Sequence, residues 1–183
     1  MDRPSAWVVR FAPLIPVGEV LDLACGGGRH ARLLAGLGHS VLAVDRDPAA
    51  LAATAGEGIR VQQFDLERDG MTWPFEDERF AGIVVTNYLH RPLFPHLFRS
   101  LAPDGVLVYE TFAQGNEQFG KPSNPDFLLA SGELLTTIAA ANSPDLAIVA
   151  YEDGYIDTPK PAMVQRICVW KAVSGAAPTR RKL

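Results

Sequence analysis

No segment constrains this chain more than Val20 to Ala31, VLDLACGGGRHA, in which an apolar run broken by one acid passes into three successive glycines and then a helix-like stretch. Glycine lacks Cβ, so it admits positive φ and leaves amide N–H groups uncovered, as a backbone must where it comes within contact distance of a ligand. A strand, a glycine turn and a helix in that order point to a ligand of nucleotide type.

Charge around the turn selects among such ligands. Gly26, Gly28 and Ala31 fit a G-x-G-x-x-A dinucleotide fingerprint, and Asp45 closes the next apolar run, SVLAVD, where a ribose-binding acid would sit. Against a dinucleotide stands Asp22, at the mouth of the first strand, whose carboxylate would oppose a pyrophosphate. A cationic ligand is favoured by the same charge, and S-adenosylmethionine carries a sulfonium and an α-ammonium with no phosphate.

Apolar runs alternate with helix-like segments along the chain, the pattern of a parallel sheet covered on both faces. Strands are expected at residues 19–24, 40–45, 60–64, 81–87, 105–110, 147–153 and 164–172, and helices at 30–36, 48–55, 92–100 and 132–141. Pro48 suits a first helical turn. Asp153 and Gly154 open a long connection to the last strand. The least regular stretch is 113–127, AQGNEQFGKPSNPDF, and a loop of that length in a compact domain is usually functional or mobile. Ligands bind at the carboxyl ends of strands in open α/β sheets, so this loop is read as a substrate lid, with a plain surface insertion as the alternative. Trp7 to Phe11, within residues 1–17, reads as a short N-terminal flap over the site or as packing on the sheet.

The ordered motifs resemble the class I S-adenosylmethionine-dependent methyltransferase superfamily, whose first motif is roughly D-x-G-x-G-x-G. Asp22 to Gly28 matches it, with Ala24 in place of the first glycine. Asp45 in AVDRD resembles the ribose-hydroxyl acid, and Asp65 in VQQFDLE the acid that meets the adenine amino group. AGIVVTNYLHR resembles the fourth strand and its catalytic-side loop, and LAPDGVLVYETF the turn and fifth strand. The resemblance spans about Glu19 to Phe112. It implies a Rossmann-like, doubly wound α/β sheet of seven strands in the order 3-2-1-4-5-7-6, mostly parallel with the last strand antiparallel. It also implies S-adenosyl-L-methionine as cofactor, held by Asp22, Ala24, Cys25, Gly26, Gly28, Asp45, Arg46, Asp65, Leu66 and Asn87.

Methyl transfer is an in-line displacement for which a protein chiefly supplies alignment and a dry site, and a base is needed only where the nucleophile must lose a proton. The residues after the fourth and fifth strands should therefore converge on the acceptor. Tyr88, His90 and Glu110 are the expected catalytic-side group. Histidine is a residue type suited to act as a base, so His90 is read as a base or substrate ligand, or as a helix-start residue bonded to backbone, and Glu110 lies on a strand too apolar for a merely solubilising charge. Arg91 is read as solvated beside Pro92, or as a ligand for an anion. Trp73 to Phe75 would cover the adenine or pack under a loop. An N-P-P-Y or D-P-P-Y signature would indicate amino-group methylation of nucleic acid or protein; this chain has Asn87-Tyr88-Leu89-His90 instead.

Length and composition narrow the rest. The 183 residues suit a single domain with one substantial core, with no room for an appended recognition domain, and 48% hydrophobic with 21% charged residues is ordinary for a globular protein. A net charge of −4 gives no general attraction to polyanions, so the acceptor is expected to be a small molecule and nucleic acid is not expected as a partner. The basic run TRRKL, within residues 174–183, reads as a solvated tail. Two cysteines, Cys25 and Cys168, form neither a disulfide framework nor a metal site. Asp2, Arg3, Arg10 and three prolines interrupt residues 1–18, so no membrane span or signal peptide is expected and the location expected is cytoplasmic. Three rival functions follow from the same features: an RNA or protein methyltransferase, a cofactor-binding protein without catalysis, and a dinucleotide-dependent oxidoreductase.

Overall fold

A computed structural model of the protein describes residues 3–173. Seven strands, β1 (Glu19–Leu23), β2 (Ser40–Asp45), β3 (Ile59–Gln63), β4 (Phe80–Thr86), β5 (Leu101–Phe112), β6 (Leu146–Ile156) and β7 (Ala162–Lys171), form one sheet in the order β3-β2-β1-β4-β5-β7-β6. Pairing is parallel from β3 through β5, and β7 runs antiparallel to both β5 and β6. The expected order and the antiparallel last strand are both present.

β4 is buried along its whole length and β1 and β2 nearly so, which is why they read as continuous apolar runs rather than alternating ones. β6 at the sheet edge has only half-buried and exposed positions. Five helices, α1 (Ala6–Phe11), α2 (Arg29–Gly36), α3 (Pro48–Thr54), α4 (Phe94–Ser100) and α5 (Glu133–Ala140), cover the two faces. One face packs Trp7, Phe11, Leu34 and Leu51 of α1, α2 and α3 against Val84, Val108 and Cys168. The other packs Phe94, Leu97, Leu134 and Ile138 of α4 and α5 against Ile83, Leu107 and Ile167.

Local chemistry sets the helix starts. Ser5 caps α1 by accepting from the Trp7 N–H, and Asp47 caps α3 by accepting from Ala49, with Pro48 in the first turn. α1 is more than a flap: Trp7, Val8 and Phe11 are fully buried core residues. The run 113–127 is less irregular than expected, because it contains two short 3-10 turns, at Asn116–Gln118 and Pro125–Phe127. The tail expected at 174–183 lies outside the described residues. Among the described residues no helix is long and apolar enough to cross a membrane.

β1 pairs with β2 on one side and β4 on the other, so the strand order reverses there and a crevice opens beyond their carboxyl ends. The glycine turn lies at this crevice.

Candidate active site

The turn between β1 and α2 adopts left-handed backbone at Ala24 (φ 54°), Gly26 (φ 50°) and Gly28 (φ 72°). The glycines serve different ends. A Cβ on Gly28 would stand 2.4 Å from the Thr54 methyl, so this glycine lets the loop pack against α3. A Cβ on Gly26 or Gly27 would meet nothing within 4 Å, which leaves that edge open to a ligand. Hydrogen bonds hold the loop in place: the Gly26 N–H donates to Asp45 Oδ2 at 2.8 Å, Thr54 donates to the Gly26 carbonyl at 3.0 Å and Arg32 to the Gly27 carbonyl at 2.6 Å. Asp45 also accepts from the Asp47 N–H through Oδ1. The acid read as a ribose ligand is therefore also the strut that joins β2 to the glycine turn, with further lone pairs still available.

Asp22 is 1% exposed, and its Oδ2 is buried with no hydrogen-bond partner. Burial pushes its pKa up to about 7, against the Ala31 backbone N–H and the Arg29 guanidinium, which pull it down. A buried carboxylate oxygen without a donor is costly, and a cation at the mouth of β1 would relieve it. Cys25 is buried at 7% exposure, and burial with the neighbouring Asp22 and Asp45 charges pushes its thiol up to about 12, so it is a packing residue and no thiolate.

His30, the second residue of α2, was not singled out from sequence. It is 1% exposed; the Ser5 N–H donates to Nε2 at 3.0 Å, and Nδ1 lies 3.3 Å from Thr86 Oγ1 at the end of β4. Accepting at Nε2 leaves the proton on Nδ1, so the ring is neutral, and burial together with Arg29 pulls its pKa down to about 3. One imidazole thus ties the start of α1, the start of α2 and the end of β4 together. Nothing local signals this, since its partners come from distant parts of the chain.

On the far side of the turn, Arg46 and Asp65 are exposed, Asp65 accepts from the Glu67 N–H at 3.0 Å, and Leu66 is buried. Asn87 has left-handed backbone (φ 55°) and its N–H donates to the Glu110 carbonyl at 2.9 Å, which sets the loop after β4 against the end of β5.

The expected trio separates. Tyr88 lines a cleft of about 180 Å³ with Glu67, Asn87, Thr111, Phe112 and Phe127, and its hydroxyl is buried without a partner. Burial, and then the Glu67 carboxylate, push that phenol above its usual range. His90 is half-buried at the turn before α4 and does not line this cleft. Glu110 belongs to neither place. Side chains alternate along β5, and Tyr109 reaches across to the Tyr88 carbonyl at 2.7 Å, so Glu110 points to the opposite face. There it lies 3.0 Å from Arg166 of β7, beneath Trp7, and Arg166 also reaches Glu152 at 3.5 Å. The charge on this apolar strand answers a cation on the neighbouring strand.

Arg91 is not merely solvated: it pairs with Glu133 at 2.6 Å and donates to the carbonyls of Asp126 and Leu128 at 2.7 and 3.0 Å. The Glu133 hydrogen bond raises its pKa further. The start of the 113–127 run is pinned as well, because buried Asn116 donates to the Pro122 carbonyl and accepts from the Met163 N–H. Trp73 stacks on His96 and donates to Ser100 Oγ at 2.8 Å, so its indole is committed to α4.

An antiparallel strand inserted beside β5, with a buried acid and a glycine turn closing β1, defines a Rossmann-like methyltransferase domain. Residues 20–105 match the methyltransferase domain family. Similar proteins include the trans-aconitate 2-methyltransferase of Variovorax paradoxus, 33% identical over 114 residues (59% of this chain, 44% of that protein). The protein-L-isoaspartate O-methyltransferase of Chlorobaculum tepidum is 37% identical over 109 residues (57% and 49%). The chain thus spans just under half the length of these relatives. Among solved structures, an S-adenosylmethionine-dependent methyltransferase of Methanosarcina mazei superposes with a TM-score of 0.70 at 14% identity, covering 94% of this chain and 100% of that one. Residues 20–105 thus carry the methyltransferase-domain pattern, and the chain has the fold of class I S-adenosylmethionine-dependent methyltransferases.

Proposed function

We propose that this chain transfers the methyl group of S-adenosylmethionine to a small molecule held beside the loop after β4. The observation that carries the reading is the buried Asp22 oxygen with no donor, set under a glycine turn whose outer edge is open. That arrangement fits a ligand with an ammonium and no phosphate, and disfavours a pyrophosphate. Asp22 would hold the methionine end, the Gly26 edge the ribose side together with Asp45, and Asp65 with Leu66 the adenine. When bound, the cofactor supplies a methyl already activated on a sulfonium. The protein's part is then to orient and to exclude water. Asn87 and Tyr88 wall the acceptor side, and Phe112 and Phe127 keep it dry; His90 stays in this reading as a residue at the rim, while Glu110 acts by holding Arg166 under α1. A small acceptor is supported by the size of the cleft and by relatives named for trans-aconitate methylation. Incubation with methyl-labelled cofactor and separate metabolite, RNA and protein pools tests the proposal. Label is expected in the metabolite fraction with S-adenosylhomocysteine formed in step; label in RNA or protein alone would overturn the small-molecule reading.

A further inference from the structure

We infer that the cleft after β4 selects an acceptor carrying an amine on a single ring, and rejects polycarboxylates such as the one in the relatives' names. The inference rests on the acceptor site proposed above and concerns the chemistry of its walls. The cleft encloses about 180 Å³ between Tyr88, Phe112 and Phe127. A cavity of about 150 Å³ accommodates one benzene ring, so this space suits one six-membered ring and little more.

The charges settle the sign of the group the ring carries. Among the described residues that line the cleft, Glu67 is the one carboxylate and none is a lysine, arginine or histidine. At the Tyr88 hydroxyl the negative charges of Glu67 and Asp65 outrank the positive charge of Arg46. Arg91, which follows β4, is not among the lining residues and is held by Glu133 and the carbonyls of Asp126 and Leu128. A tricarboxylate would enter this space against a carboxylate and without a counter-charge. An ammonium instead pairs with Glu67 and donates an N–H to the Tyr88 hydroxyl oxygen, while its ring lies against Phe112 and Phe127.

Calorimetry on protein saturated with S-adenosylhomocysteine provides the test, with benzylamine and benzoate as probes of one size and opposite charge. Benzylamine is expected to bind tighter by about tenfold, and Glu67→Gln to bring the ratio towards one. Glu67 is exposed, so the substitution leaves the fold intact, and S-adenosylhomocysteine affinity in the variant serves as the control. Equal or tighter binding of benzoate, a ratio indifferent to Glu67→Gln, or no benzylamine binding up to about 10 mM would each overturn the inference. Failure of the wild-type protein to bind S-adenosylhomocysteine would instead sink the cofactor reading, so the two failures are distinct.

Discussion

Two buried groups beside the glycine turn hold opposite and unusual protonation states. Asp22 has its pKa raised from 3.8 to about 7, so between those values the folded chain keeps a proton that the unfolded chain has shed. Its effect makes stability fall as pH rises through that window, on the order of 4 kcal/mol in all. His30 is lowered from 6.5 to about 3, so the unfolded chain gains a proton that the folded one refuses, and stability falls as pH drops. The two oppose each other across mildly acidic pH, which flattens the wild-type profile. Asp22→Asn removes one side: the variant should match or exceed wild type in urea melts near about pH 8 and lose stability steadily towards about pH 5. Parallel profiles for the two proteins would refute this balance. The left-handed Ala24 makes a second point, since a Cβ there costs roughly 1 kcal/mol that glycine avoids. Ala24→Gly should raise the melting midpoint slightly or leave it unchanged, and a marked drop would mean that the methyl packs usefully. The place of Asp22 just below the glycine turn was legible because Gly26 to Gly28 follow it closely in the same segment. His30 was not, and Glu110 was misplaced, because the partners that decide them, Ser5, Thr86 and Arg166, come from other elements.

Helices and strands were legible where burial is uniform, as in β1, β2 and β4, whose apolar runs leave no alternative. The 113–127 run was not, because glycine, proline and asparagine announce a turn without saying what holds it. Two anchors do so, Asn116 at one end and Arg91 with Glu133 at the other. Arg91→Ala should release the second anchor at a cost of about 1 kcal/mol in global stability, since the pair is partly exposed. Hydrogen exchange would then quicken at the Phe127 and Leu128 amides, which bond within the turn, while S-adenosylhomocysteine affinity stays the same. Unchanged exchange there would show that the run is held by its apolar contacts alone. α1 also emerged as more than a cover. Its Trp7 roofs the Glu110 and Arg166 pair, so Trp7→Ala should cost about 3–5 kcal/mol, and a loss below about 1 kcal/mol would contradict its role in the core.

At the level of the whole molecule, the strand order came from resemblance rather than from periodicity, since no hydrophobic pattern says that a strand late in the chain inserts between two earlier ones. The choice between methyltransferase and oxidoreductase was made by charge, and it has a direct check. Calorimetry should give tighter binding of S-adenosylhomocysteine than of NAD, with Asp45→Ala weakening it by roughly 1.5–3 kcal/mol. Tighter binding of NAD would reverse the assignment. The position of β7 also bears on how the molecule is made. β6 touches the sheet only through β7, and β5 has no second neighbour until β7 arrives. During synthesis the first five strands can assemble as soon as they leave the ribosome, but they present the open edge of β5, and β6 waits beside them with nothing to pair with. Completion of this sheet therefore falls to β7, which makes the interval before Ala162–Lys171 emerges a time at which the nascent chain is open to pairing with a wrong strand.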